Sequence, residues 1–206
     1  MAKRTMIYSV HPGVERVQKW VVDLPSKTGR SLEEWLDLVK KKGPQGEPER
    51  REWLKKEHGL GTNAAWWIAE RAAGKAQNDA PEAYLAEAER YVEDMFAAKK
   101  AHLLPIYERL LEMGRALGKD VKFCPCKTMV PFYRNHVFAE VKPATLKRVD
   151  PGLALGKTKV PSRSRLVDTG GAAKKDRITH EFELATVADI DDEVGRWLAK
   201  AYELDA

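Results

Sequence analysis

Apolar residues recur with helical spacing over the first half of the chain and with strand spacing over much of the second. Val14, Val17, Trp20 and Val21 fall at i, i+3, i+6 and i+7, one face of a helix that Pro25 and Gly29 punctuate. Ser31 stands three residues before Glu34, so hydroxyl and carboxylate can each accept from the other's orphan amide at a helix start. Leu32, Trp35, Leu36 and Val39 are the apolar face of that second helix, and Gly43-Pro44-Gln45-Gly46 stops it. Glu47-Pro48-Glu49 opens a third, with carboxylates where the helix dipole favours them, and it runs through Trp53 and Leu54 to His58-Gly59. Beyond Gly59-Leu60-Gly61, Thr62 or Asn63 caps a fourth through Trp66, Trp67 and Ile68.

Residues 74–81 are polar and read as a linker. Helical spacing then resumes in Tyr84, Leu85, Ala88, Tyr91, Val92, Met95 and Phe96. Another helix spans about Lys99 to Leu117, where Pro105 predicts a break near 101–104 and Gly118 the end. After it the period falls to two. Val121–Phe123, Thr128–Tyr133, His136–Val141 and Thr145–Val149 read as four strands, Pro131 placing the second at an edge or a bulge. Asp150-Pro151-Gly152 reads as a turn, 156–176 as a mobile basic loop, and Arg177–Leu184 as a final strand. Val187, Ile190, Val194, Trp197, Leu198 and Tyr202 close the chain with an amphipathic helix whose first turn is acidic. The plan is α+β: a small helical domain over 1–76, then over 77–206 a helix pair and an antiparallel sheet closed by a C-terminal helix.

Composition narrows this picture. With 206 residues, 43% hydrophobic and 33% charged, the chain can bury a core, and no apolar run approaches the ~20 residues of a membrane span. The N-terminal MAKRTMIYSV lacks the apolar region of a signal peptide, so the expected location is the cytoplasm, with no membrane partner. Five of the six tryptophans lie within residues 1–74, where they supply the core of a small helical domain. Trp66 and Trp67 read as packing or partner-binding residues.

The net charge of +5 is modest but uneven: bases dominate 119–180 and acids dominate 181–206. Lys127, Lys142, Lys147, Arg134 and Arg148 fall among Tyr133, His136 and Phe138, a mixture suited to phosphate contacts with base stacking. Arg134 and Arg148 are the leading anion ligands, because guanidinium grips phosphate through two parallel bonds. The expectation is therefore a binding protein for an anionic ligand, nucleic acid first, needing no cofactor. Enzyme readings stand beside it. Cys124-Pro125-Cys126 offers a thiol or metal pair, two ligands where zinc takes three or four. Glu140-Val141-Lys142, with Asp120 upstream, matches the carboxylate–lysine half of a metal-dependent nuclease. A third reading makes the tryptophan-rich helices a protein-interaction adaptor.

Two stretches also carry a family resemblance. Lys27-Thr28-Gly29-Arg30-Ser31-Leu32-Glu33-Glu34-Trp35, with Trp53 to Gly61, resembles a small bacterial helical domain of unknown function, number 4287. Pro105-Ile106-Tyr107, Lys127-Thr128, Tyr133-Arg134, His136-Val137-Phe138-Ala139, Lys142-Pro143 and Ala201-Tyr202-Glu203 resemble a second bacterial domain of unknown function, number 5655, departing from its pattern at Pro151. The resemblance implies a two-domain chain and no particular activity. The closing strand and helix also look like the YjbR-type α+β fold, which implies DNA binding.

Overall fold

The computed structural model describes residues 7–74 and 80–206. They form two compact units, one of residues 10–85 and one of 86–206 joined by the segment ending at Ser9. The expected boundary at 76/77 and most of the linker around it lie outside the described residues.

The first unit is helical. Its elements are α1 (Pro12–Thr28), α2 (Leu32–Lys42), α3 (Glu47–His58) and α4 (Thr62–Ala72). The His11 ring accepts from Gly13 N at 2.9 Å and starts α1. Pro25 sits inside α1 instead of ending it. The chain leaves the helix at Gly29, whose φ of +76° would strain any residue with a Cβ. The expected capping box is present, with Ser31 Oγ accepting from Glu34 N at 3.2 Å and the Glu34 carboxylate from Ser31 N at 2.7 Å. Leu24, Trp35, Val39, Leu54, Ala65 and Ile68 form the core, and Trp20 and Trp53 pack against it. Trp67 meets Trp20 edge to face at 4.7 Å, while Trp66 is exposed.

The second unit begins along α5 (Pro81–Met95) and continues through a short 3-10 helix (Ala98–Leu103) into α6 (Leu104–Leu117). The break falls where Pro105 predicts it, since proline fits the first turn of a helix and cannot donate deeper inside one. Six antiparallel strands follow: β1 (Lys122–Phe123), β2 (Val130–Tyr133), β3 (Val137–Lys142), β4 (Asp150–Leu153), β5 (Val167–Asp168) and β6 (His180–Glu181). Their spatial order is β1-β2-β3-β4-β6-β5. A single turn, α7 (Gly171–Lys174), and α8 (Asp192–Leu204) complete the unit. Phe123, Phe132, Val141, Leu153 and Phe182 pack with Ile106, Leu110, Val194 and Leu198 of α6 and α8 in one core. The fold is α+β, with a helix closing the sheet. Among the described residues no helix is long and apolar enough to cross a membrane.

The sheet departs from expectation where proline misled the reading. Asp150-Pro151-Gly152 is no turn; it is most of β4, buried in the middle of the sheet. Pro151 is tolerated because its missing N–H faces Phe182, just beyond the end of β6. Phe182 N still donates to Pro151 O at 3.1 Å, and pairing resumes at Val149 and Leu184. Residues 145–149, expected as the fourth strand, contribute only that Val149 bridge. Pro131 lies on an interior strand, with an irregularity in register one residue later at Phe132/Tyr133. The segment 156–176, expected as a mobile loop, carries β5 and α7.

Candidate functional site

The expected anion ligands fall into two separate clusters, each furnished with carboxylates from the chain itself. At the β2–β3 end, Arg134 Nε donates to Asp120 Oδ2 at 2.8 Å, and its guanidinium lies 4.3 Å over the Tyr202 ring. The Tyr202 hydroxyl donates to Asp120 Oδ1 at 2.7 Å. That hydroxyl, and then Arg134, hold the Asp120 carboxyl below its ordinary range. Next to it Asp205, buried after the last turn of α8, accepts from the backbone amides of Asn135 and His136 at 3.0 and 2.8 Å. Asp205 also meets the His136 ring at 3.1 Å and the Arg177 guanidinium. Arg134 and His136 thus tie α8 to the sheet. Tyr133 is half-buried beside them in β2.

The second cluster occupies the sheet face opposite the aromatic core. The register brings Lys142 opposite Asp150, and Glu140 in line with Gly152 and Glu181. Lys142 Nζ lies 3.4 Å from Glu140 and 3.7 Å from Glu181. Arg148 spans Asp150 at 3.0 Å and Glu183 at 2.7 Å. Burial pushes the Asp150 carboxyl up, against the opposing pull of Arg148. Glu140, Asp150, Glu181 and Glu183 therefore surround the two cations expected to face a ligand. Lys127 and Lys147 are exposed and belong to neither cluster.

The same geometry bears on the enzyme readings. Cys124 N bonds Pro131 O and Cys126 N bonds Met129 O, so Cys-Pro-Cys simply prolongs the β1–β2 hairpin. Burial pushes the Cys124 thiol up to about 12 and raises Cys126 as well, with Glu140 adding to the second. Both sulfurs are neutral thiols at physiological pH, which suits packing and not nucleophilic attack. Among the described residues no group of three or more His, Cys, Asp or Glu is placed to hold a metal ion. Asp120 and Glu140, paired in the nuclease reading, sit in different clusters.

A third group was not legible as a site. Arg163, Arg196, Trp197 and Lys200 line an open cleft of about 580 Å³ between the 161–164 segment and α8. The segment is pinned. Ser164 Oγ donates to Glu193 Oε1 at 2.6 Å, Arg165 reaches Asp191 at 2.7 Å, and Leu166 is buried. The Ser164 hydroxyl, ahead of the Arg165 contacts, holds the Glu193 carboxyl below its usual range, so the cleft's one carboxylate is already engaged. Arg163 and Arg196 are exposed, and neither has a carboxylate partner among the described residues. Lys200 has only the exposed Glu203 at 3.2 Å. Arg163 belongs to the basic run. Arg196 and Lys200 were hidden by the acidic total of 181–206, although their i, i+4 spacing places them on one face of α8.

The model of the family described as Domain of unknown function (DUF5655) matches residues 92–205, and that of Domain of unknown function (DUF4287) matches residues 17–73. Both agree with the resemblance carried by the sequence motifs. No curated protein and no solved structure matches the chain.

Proposed function

The chain belongs to the DUF5655 family, and from that premise we propose that its second unit binds an anionic ligand, nucleic acid first, in the cleft between residues 161–164 and α8. The observation that carries this reading is the pair Arg163 and Arg196, cations without carboxylate partners among the described residues, set beside a half-buried tryptophan. An indole supplies a stacking surface that accepts any base, while guanidinium groups hold the phosphates on either side. The proposal moves the anion site away from Arg134 and Arg148, whose guanidinium groups sit on Asp120, Asp150 and Glu183. A strand running past Trp197 would contact few phosphates, so binding should be weak and salt-sensitive.

Substituting Arg163→Ala and Arg196→Ala together is expected to lower affinity for a labelled single-stranded oligonucleotide by about 10- to 100-fold at low salt. The slope of log affinity against log salt should flatten by about 1.4, at roughly 0.7 per lost phosphate contact. Both side chains are exposed, so the fold should be unaffected. An unchanged slope, or no binding by the parent protein at low salt, would contradict the proposal.

A further inference from the structure

A cleft between α5 and α6, lying wholly within the second unit, carries the opposite charge. Val92 from α5, Phe96 just after it, and Tyr107 and Leu111 from α6 make its walls, with Tyr8 also in the lining. Phe96 and Tyr107 stack at 5.1 Å with 27° between their planes. The Tyr107 hydroxyl donates to that of Tyr8 at 3.1 Å, so the buried phenol leaves no unmet demand in the wall. Burial, ahead of the neighbouring Tyr8 and Glu108, pushes Tyr107 above the ordinary tyrosine range and keeps the ring neutral.

The charged part of the lining is Glu89, Glu93 and Glu108, and no Lys, Arg or His joins them among the described residues. Glu89 and Glu93 are one turn apart on α5, and Glu108 comes from α6. All three are exposed, and none has an ion-pair partner among the described residues. Three carboxylates around an aromatic wall repel one another and exclude anions. The space is about 320 Å³. That holds on the order of ten non-hydrogen atoms, the size of a ring with a short chain and too small for a folded partner.

We propose that this cleft binds a small organic ammonium, its apolar ring or chain against Phe96, Tyr107 and Leu111 and its charged nitrogen among Glu89, Glu93 and Glu108. Aromatic faces attract cations through their quadrupole, and an ammonium brings the three carboxylates the counter-charge that no described residue of the cleft provides. A neutral apolar molecule would fill the wall and leave the three charges unmet. This site is independent of the anion cleft on α8 and needs nothing from it.

The test titrates the isotope-labelled full chain with phenethylammonium, 2-phenylethanol and phenylacetate, three probes of similar shape and different charge. Phenethylammonium should bind at least tenfold tighter than the alcohol, shift the resonances of Tyr8, Phe96 and Tyr107, and leave phenylacetate unable to compete. Glu89→Gln, Glu93→Gln and Glu108→Gln combined keep the shape and should reduce the preference for the amine over the alcohol to less than twofold. Circular dichroism confirms that this surface variant is folded. Equal affinity for the alcohol, an amine preference that survives the triple substitution, or no amine binding at millimolar concentration overturns the proposal.

Discussion

Asp205→Ala is expected to lower folding stability by about 2–3 kcal/mol, because a buried acceptor is lost while its Arg177 and His136 partners stay open to water. The residue sits after the last turn of α8, where the helix dipole disfavours a carboxylate. Its placement there is explained by the sheet. One buried carboxylate serves two turn amides, the His136 ring and the Arg177 guanidinium, so alanine would take the shared acceptor from both amides and leave the two exposed side chains to water. Asp205→Asn retains one acceptor oxygen and gives up the charge, so its cost should be smaller, about 1–2 kcal/mol. Urea unfolding followed by circular dichroism measures both. A loss under about 1 kcal/mol for alanine would show that α8 is held by its apolar face alone.

The second large effect lies in the core. Phe132 is fully buried, meets Phe123 edge to face at 4.6 Å and Phe138 at 6.2 Å, and Phe132→Ala should cost about 3–5 kcal/mol. Its ring is also the reason residue 114 of α6 is glycine. A Cβ there would stand 2.9 Å from the Phe132 ring and 3.0 Å from that of Phe123, closer than packed carbons tolerate. Gly114→Ala in the parent should therefore destabilise, although alanine gains about 1 kcal/mol of helix propensity over glycine. Once Phe132→Ala has emptied the space, the same methyl group should fill part of it, and Gly114→Ala should stabilise. The double-mutant cycle is thus expected to show a favourable coupling of about 1–2 kcal/mol. Additive effects would mean that helix and sheet do not meet as closely at this point.

Local physics explains which parts of the fold could be read from the sequence. The helices were visible because their signals are local: the Ser31–Glu34 box, Gly29 beyond α1, and the proline at the start of α6 all act within a few residues. Asp150-Pro151-Gly152 misled because three turn-formers in a row usually bend a chain. Here they lie flat because the partner strand ends where Pro151 cannot donate, and because Gly152 makes room for Ile178, 2.6 Å from where a Cβ would stand. Nothing within a few residues of Pro151 carries that information.

The candidate site was less legible for a related reason. Basic residues can be counted in a sequence, but several of the carboxylates that neutralise them come from elsewhere in the chain. Arg134 meets Asp120, Arg148 meets Glu183, and Arg177 meets Asp205, and only the folded sheet brings these together. Arg163 keeps its charge available because its neighbours Ser164 and Arg165 take up the acids at the start of α8. A count over 181–206 concealed Arg196 and Lys200, whereas helical spacing alone sets them on one face with Trp197 between them in sequence.

The anion site proposed for this chain is the α8 cleft and not the sheet face. Titration of the isotope-labelled protein with a short single-stranded oligonucleotide, followed residue by residue by NMR, separates the two surfaces. Shifts are expected to concentrate at residues 161–166 and 193–200, with the Trp197 indole among the largest. Shifts centred on Lys142, Arg148 and Glu181, or none at low salt, would contradict it.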